Sequence, residues 1–171
     1  MAQYKALPTL SFPDAMSSVI TNLFKFKGRA RRSEFWWAQL VVLLVSIPLT
    51  PFAGFILDVL CIPLAFRRLH DTGKSGWWWL GAPILFLITL GMLVRDIIWL
   101  LVAFGAGTAP DGFAALLPIL SRYLIAFGIH LLYRIIMIVF MLQDSDKGAN
   151  KYGASPKYVE VTEEAGEVSV A

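Results

Sequence analysis

A group of side chains that can bind an anion lies near the middle of the chain, and its members are Arg67, Arg68, His70, Lys74 and Ser75. Arginine guanidinium groups match the oxygens of a phosphate, and a helix that starts near Ser75 would point free backbone N–H groups at the same place. Arg29 and Arg32 belong to an earlier basic stretch and are added to these candidates. The pattern therefore indicates a site for a phosphate or an anionic lipid headgroup.

The same residues have a simpler interpretation as a membrane anchor. They lie between two apolar blocks and are followed by Trp77, and Lys and Arg collect on the cytoplasmic side of a membrane while Trp collects at the headgroup level. Most basic clusters beside a membrane span do no more than this. In this case Glu34 or Asp71 would pair with an arginine of the group. The sequence leaves both interpretations open.

Metal chemistry is not expected from this chain. His70 followed by Asp71 resembles metal-dependent phosphohydrolases, but the second histidine, His130, lies deep within an apolar stretch. Cys61 is the single cysteine, which excludes a Cys-rich metal site. A centre with several metal ligands would need more such side chains close together. We therefore expect no metal and no cofactor.

The composition indicates a membrane protein. Of 171 residues, 57% are hydrophobic and 16% are charged, so the surplus apolar surface must face lipid. The net charge of +3 is too small, and too scattered in short runs beside the apolar blocks, to indicate nucleic acid as a partner. Anionic membrane lipids are the expected counter-charge, with a membrane-protein partner or a second copy of the chain as further possibilities.

The apolar blocks predict how the chain crosses the membrane. Residues 35–66 are longer than one span of roughly 20 residues and are basic at both ends, which favours a hairpin with its turn at 48–51. A third span is predicted from 77 to 93, and a fourth within 113–142. The loop 105–112 has no Lys or Arg, as expected of a translocated loop.

These patterns predict an all-α polytopic protein of the bacterial inner (plasma) membrane with about four transmembrane helices. A short amphipathic helix, capped by Asp14 and lying in the interface, is expected before the first span. We divide the chain into a cytoplasmic segment 1–34, a helical bundle 35–142 with a cytoplasmic loop 67–76, and a cytoplasmic polar tail 143–171 whose end is disordered. Both termini are then cytoplasmic.

Four ionisable residues lie within the apolar stretches, namely Asp58, Arg122, His130 and Arg134. A lone charge there costs at least about 2.5 kcal/mol, so each needs a partner. His130 and Arg134 are four apart and share a helix face. They form either a structural polar seam or a path for protons or ions. From their depths we expect Asp58 to pair with Arg122, or with Arg95 if the fourth span starts later.

Three motifs, at 26–37, 67–77 and 150–156, together resemble the domain of unknown function 805 family of small bacterial inner-membrane proteins. The motif residues for which we expect structural roles are Gly28, Glu34, Trp36, Asp71, Gly76, Trp77, Asn150, Tyr152 and Gly153. The stretch 91–120 is longer here than is typical of the family. The resemblance implies a membrane location and supplies no established activity or catalytic residue. The proposed threading brings all three motifs to the cytoplasmic face.

The preferred interpretation is a non-enzymatic scaffold or accessory protein whose basic cytoplasmic loops bind anionic lipid headgroups or a partner protein. A small transporter or channel component that uses the four intramembrane residues is the alternative. An enzyme that acts on lipid phosphates through His70 and Asp71 is the third hypothesis.

Overall fold

The computed structural model describes residues 3–49, 51–108, 112 and 116–161, with backbone alone at 48–49 and 51–55. The elements in chain order are β1 (Gln3–Ala6), α1 (Phe12–Thr21), α2 (Arg32–Leu49), α3 (Pro51–Leu60), α4 (Ile62–Asp71), a 3-10 helix (Gly76–Leu80), α5 (Gly81–Gly105), α6 (Leu117–Leu142) and β2 (Tyr158–Val161). The chain forms two compact units, one from Met1–Trp79 with Val139–Ala171 and the other from Leu80–Ile138.

The fold is mostly helical, as predicted, but the all-α expectation needs one correction. β1 and β2 form a two-stranded antiparallel sheet in which Gln3 pairs with Val161 and Ala6 with Tyr158. Strands of four residues are too short to give a clear alternating pattern, and these two lie at opposite ends of the sequence. The sheet ties the start of the chain to the segment that follows α6. Residues 162–171, where disorder was expected, lie outside the described residues.

Helix α1 is present where a short helix was predicted, but its cap is different. Ser11 is the N-cap, and its hydroxyl accepts a hydrogen bond from the Asp14 N–H at 3.4 Å. Asp14 lies inside the first turn, where a negative charge is favourable beside the free N–H groups. Ala15 and Val19 are buried while Ile20 is exposed, so α1 packs with one edge on α2 and leaves another edge open.

The predicted hairpin corresponds to α2 followed by α3 and α4. Its first arm ends at Leu49 and its second begins at Pro51, which is where the turn was expected. The second arm is interrupted at Cys61, because Pro63 in the first turn of α4 has no N–H to donate to the preceding turn. Cys61 is buried, as predicted for a small apolar side chain.

The residues 76–105 and 117–142 form two helices that are long and apolar enough to cross a membrane. α5 continues through Arg95 and Asp96 without a break, so the third apolar stretch extends beyond 93 to Gly105. Within α5, whose residues are all described, Asp96 and Ala103 are buried and most apolar side chains are exposed. Such a surface suits hydrocarbon surroundings, where the helix satisfies its own backbone hydrogen bonds.

Candidate functional site

Asp71, the last residue of α4, is the centre of a fully buried polar cluster. One of its carboxylate oxygens accepts from Nε of Arg29 at 2.9 Å, and the other accepts from Nη1 of Arg68 at 2.6 Å and from the hydroxyl of Ser145. Removing such charges from water costs several kcal/mol per ion, so the remaining polar atoms must also be hydrogen-bonded. We call Arg29, Arg68, Asp71 and Ser145 the Asp71 cluster.

The other N–H groups of Arg29 donate hydrogen bonds to the segment that follows α6. Its Nη1 donates to the carbonyl of Gly148 at 2.8 Å, and its Nη2 donates to the carbonyl of Asp146 at 2.6 Å. The side chain is 1% exposed. A guanidinium group has five donors in a fixed plane, which allows one side chain to hold several backbone carbonyls at once. Arg29 therefore joins the loop before α2 to the end of α4 and to the tail.

Arg68 binds the C-terminal end of α6. Its guanidinium donates to the carbonyls of Met141 and Gln143 in addition to Asp71. The last carbonyls of a helix lack partners within the helix, and a cation there is also favoured by the helix dipole. Arg68 therefore serves as a buried cap for α6.

The third motif contacts the second through an aromatic stack. The ring of Tyr152 lies parallel to the ring of His70 with centroids 3.8 Å apart, and Asn150 donates to the His70 carbonyl at 2.9 Å. Asn150 and Gly153 exchange backbone hydrogen bonds, which closes the turn that presents Tyr152. Nδ1 of His70 lies 3.2 Å from the carbonyl of Gly28 in the first motif. The three motifs therefore meet, as predicted, while their location on the cytoplasmic face stays a prediction.

Glu34 is the second acid that was expected to pair with an arginine. Its carboxylate lies 3.9 Å from Arg67 and accepts from the hydroxyl of Ser18 at 2.9 Å and from the backbone N–H of Arg31 at 3.0 Å. Glu34 and Arg67 are both buried. The predicted pairing is confirmed, and it joins α1, α2 and α4.

Among the motif glycines, Gly28 is required by its backbone conformation and Gly76 by close packing. Gly28 has a φ of +92°, a conformation that other residues rarely adopt. At Gly76 a Cβ atom would lie 2.2 Å from Cδ1 of Phe66, so only glycine fits between this turn and α4. The tryptophans differ, since Trp36 is 39% exposed and Trp77 is 71% exposed. Exposed tryptophans beside apolar helices are typical of the membrane interface.

The anion-binding role needs correction for three of the candidates. Arg29, Arg67 and Arg68 are buried, and their partners are carboxylates and carbonyls of the protein itself. An external phosphate cannot reach them without opening the fold. Lys74 contacts the side-chain carbonyl of Gln143, and burial lowers the pKa of Lys74. Ser75 accepts from the N–H of Trp77 at 3.4 Å at the start of the 3-10 helix, as a capping residue would.

Arg32 remains accessible and forms part of a small cavity that the sequence did not reveal. The cavity has a volume of about 80 Å³ and is lined by Leu7, Pro8, Thr9, Arg31, Arg32, Ser33 and Lys157. It lies at the N-terminus of α2, where backbone N–H groups and the helix dipole favour an anion. We call this cavity the basic cup. The run of arginines at 29–32 was its signal in the sequence, but Lys157 comes from the distant tail.

Asp144 partly offsets the charge of the basic cup. It lies 3.5 Å from Arg32, and both its oxygens accept from Lys157 at 2.6 Å. Burial would raise the pKa of Asp144, but hydrogen bonds from Lys157, from the Ser145 N–H and from the hydroxyl of Tyr158 lower it to about 2. Asp144 is therefore ionised at neutral pH, and the cup keeps an excess of positive charge from three cations against one acid.

An apolar groove adjoins the basic cup along α2. Its lining residues are Ser33, Trp36, Trp37, Gln39, Leu40 and Leu43, and its volume is about 430 Å³. Ser33 lines both the cup and the groove. Nε2 of Gln39 is buried and has no hydrogen-bond partner among the described residues. The groove therefore combines an apolar wall with one unsatisfied donor.

An ion pair between Asp58 and Arg122 was expected, but the partner of Arg122 among the described residues is Asp96. Arg122 contacts Asp96 at 3.1 Å, and Asp96 also accepts from Arg95 at 2.8 Å and from the hydroxyl of Tyr123 at 3.1 Å. The reason is the register of α6, whose start at Leu117 places Arg122 in its second turn, opposite the later part of α5. We call Arg95, Asp96, Arg122 and Tyr123 the Asp96 cluster.

The other intramembrane candidates are not part of the Asp96 cluster. Nδ1 of His130 lies 2.8 Å from the carbonyl of Ala126 in its own helix. Arg134 is exposed on α6, and Asp58 is exposed on α3. The sequence did not predict Asp96 as the partner of Arg122, because Asp96 lies beyond the predicted end of the third span at 93.

Comparison with known proteins agrees with the membrane character of the helices. The chain is 33% identical over 95 residues to the inner membrane protein YhaH of Escherichia coli (strain K12), which covers 44% of this chain and 75% of that protein. It is 26% identical over 155 residues to the inner membrane protein YhaI of the same strain, which covers 82% of this chain and 93% of that protein. No solved structure matches the chain.

The family model for proteins of unknown function DUF805 matches residues 45–154. The match includes Arg68, Asp71 and Ser145 of the Asp71 cluster, together with the turn that carries Tyr152. The matched range is more than half of the sequence. The chain therefore belongs to the DUF805 family of proteins of unknown function, whose relatives named above are bacterial inner membrane proteins.

Proposed function

We propose that the protein is a non-enzymatic scaffold of the inner membrane that binds the headgroup of an anionic phospholipid in its basic cup. In this proposal the chain crosses the membrane four times, with both termini and the Asp71 cluster in the cytoplasm. The observation that carries the proposal is the position of the cup, which shares Ser33 with an apolar groove lined by Trp36 and Trp37.

The distribution of charge supports the proposed topology. All Lys and Arg residues except Arg95, Arg122 and Arg134 fall in segments that the four-span model assigns to the cytoplasm. The exposed Trp36 and Trp77 lie at the ends of apolar segments beside these basic residues. Both features are typical of the cytoplasmic interface of a membrane protein.

The chemistry of the cup supports an anionic lipid as its ligand. Arg31, Arg32 and Lys157 supply three cations, of which Arg32 and Lys157 contact the acid Asp144, and Arg32 has 44% of its side chain exposed. The adjoining groove is mainly apolar, so a ligand with a charged head and an apolar chain satisfies both parts. A soluble anion would leave the groove unfilled.

A structural role is also favoured for His70 and Asp71, which were the candidates for hydrolysis of lipid phosphates. The ring of His70 is covered on one face by Tyr152, and the carboxylate of Asp71 is occupied by three donors. A catalytic base needs to reach the proton that it removes. The buried carboxylate of Asp71 is therefore not accessible to a substrate.

Native mass spectrometry of the purified protein tests the proposal directly. Wild type, Arg32→Gln and the control Lys151→Gln are titrated with dioleoyl phosphatidylglycerol and with the zwitterionic dioleoyl phosphatidylcholine. Loss of one charged contact should weaken phosphatidylglycerol binding in Arg32→Gln by about tenfold. Lys151 is exposed and lies outside the cup, so its variant should bind as wild type does. Equal binding of the two lipids by wild type would contradict the proposal.

A further inference from the structure

The unit formed by Leu80–Ile138 contains a second pair of adjoining cavities, separate from the basic cup. α5 and α6 contact each other at two levels. At one level Asp96 binds Arg122, and at the other the ring of Tyr133 packs so closely on Gly81 that a Cβ there would lie 2.6 Å from Cε2. Between these two contacts the helices leave an apolar groove of about 230 Å³.

The groove is polar at one end and apolar along the rest of its length. Its walls include Leu85, Met92, Ile125 and Ala126, and Arg122 lies at its edge. A neighbouring cavity of about 380 Å³ is lined by Arg95, Asp96, Trp99, Pro118, Ile119 and Arg122. Arg122 thus belongs to both cavities, in the same way that Ser33 links the basic cup to its groove.

The charge of the Asp96 cluster is not balanced. Arg95 and Arg122 bring two positive charges, while Asp96 brings one negative charge, and Tyr123 is a neutral donor. Nε of Arg122 is buried and has no hydrogen-bond partner in the described part of the chain. A buried donor without a partner is unfavourable, and an additional acceptor would remove this cost. The cluster is therefore complementary to one anionic group.

The level of the cluster along the helices agrees with a headgroup position. Counted along the single helix α6, Arg122 lies about 30 Å from Leu142. The hydrocarbon core of a bilayer is about 30 Å thick. The Asp96 cluster thus lies near the interface at the loop end of these helices, and the groove extends from it into the hydrocarbon.

We propose that α5 and α6 hold one phospholipid, with its phosphate between Arg95 and Arg122 and part of one acyl chain in the groove beside Ala126. In the topology given under Proposed function this lipid belongs to the outer leaflet, whereas the basic cup contacts the inner leaflet. Arginine guanidinium groups bind phosphate oxygens with two parallel hydrogen bonds, and Trp99 is suited to the headgroup level.

The test uses the full-length protein in the Arg32→Gln background, in which the basic cup should bind lipid about tenfold more weakly. Native mass spectrometry measures the binding of dioleoyl phosphatidylglycerol, of glycerol 3-phosphate as the head alone, and of dioleoylglycerol as the chains alone. Only the complete lipid should bind tightly. Arg95→Gln should weaken its binding by about tenfold, since one charged contact is lost while the link between Asp96 and Arg122 remains.

Two further variants keep the result interpretable. Ala126→Phe fills the groove one helical turn after Arg122 while all four residues of the Asp96 cluster are kept, and it should also weaken lipid binding. Arg134→Gln, at an exposed arginine elsewhere on α6, should leave binding unchanged. Circular dichroism confirms that each variant keeps its helices. Equal binding by Arg95→Gln, Ala126→Phe and the background protein would overturn the proposal. Binding of glycerol 3-phosphate as tight as that of the lipid would overturn it as well, because the groove would then have no part.

Discussion

Arg29 and Asp71 are 42 residues apart in the chain and form a buried ion pair, with Nε of Arg29 2.9 Å from a carboxylate oxygen of Asp71. Their side chains are 1% and 0% exposed. The second carboxylate oxygen binds Arg68, so one aspartate joins the loop before α2 to the end of α4, and through the arginines to the segment after α6. Arg29 also donates to the carbonyl of Gly153 at 3.3 Å, so the three family motifs share one centre.

Replacement of Asp71 should destabilise the protein strongly. Asp71→Asn keeps the size of the side chain but leaves two buried guanidinium groups without their carboxylate. Removing one partner of a buried ion pair costs about 3 to 5 kcal/mol. Chemical unfolding in detergent micelles measures this change. The control Glu160→Gln removes an exposed acid on β2 and should change the unfolding free energy by less than about 0.5 kcal/mol. Similar values for both variants would contradict a central role of Asp71.

The stack of Tyr152 on His70 should contribute less to the unfolding free energy than Asp71 does. Its contribution should come from the ring of Tyr152 and not from the hydroxyl. Tyr152→Ala should lower the unfolding free energy by about 0.5 to 1.5 kcal/mol beyond the loss of buried area, while Tyr152→Phe should stay near wild type. Unfolding under the same conditions provides the comparison. A loss in Tyr152→Phe as large as in Tyr152→Ala would mean that the hydroxyl, and not the stack, is responsible.

The contacts of Asp144 predict a pH dependence. The folded-state pKa of Asp144 is about 2, below its ordinary value of 3.8. A lowered pKa stabilises the fold above the ordinary value, and this contribution is lost as the pH falls from 3.8 towards 2. Because 44% of the side chain is exposed, solvent screening limits the effect to less than about 1 kcal/mol. The difference in thermal midpoint between wild type and Asp144→Asn should be present at about pH 6 and shrink below about pH 4. A difference that is the same at both pH values would argue against this ion pair.

The contact between Asp96 and Arg122 should couple α5 to α6. In a double-mutant cycle with Asp96→Asn and Arg122→Gln, residues in direct contact give an interaction energy of about 0.5 to 3 kcal/mol. The matched cycle with Arg134→Gln in place of Arg122→Gln should be additive within about 0.5 kcal/mol. Unfolding in detergent supplies all the values. Additivity in the first cycle would show that the two side chains do not act together.

Local sequence patterns predicted the hairpin and the meeting of the motifs well. The length of the apolar block 35–66, which is basic at both ends, predicted a turn at 48–51. Glu34 and Asp71, which adjoin the basic clusters, were expected to pair with arginines. These features depend on neighbouring residues or on a small number of charges. The sequence could not show whether an arginine faces a lipid or a backbone carbonyl. Arg29 and Arg68 therefore looked like anion ligands, although they hold carbonyls of the tail.

Contacts between segments that are distant in the chain could not be predicted from the sequence. The pairing of β1 with β2 and the approach of Lys157 to Arg32 depend on where the tail returns. The partner of Arg122 depended on the register of α6, which a uniform apolar stretch does not reveal, because every turn of such a helix is equally compatible with lipid.

Labelling of single cysteines from outside the cell decides most directly whether the Asp71 cluster and the basic cup lie in the cytoplasm. Cys61 is first replaced by alanine, and a cysteine is placed at Thr108, after α5, or at Lys147, beside the Asp71 cluster. Both positions are exposed in the structure. A membrane-impermeant maleimide should label the Thr108 variant in intact cells and the Lys147 variant only after the membrane is opened. Labelling of the Lys147 variant in intact cells, or protection of the Thr108 variant, would contradict the four-span arrangement and the cytoplasmic site that depends on it.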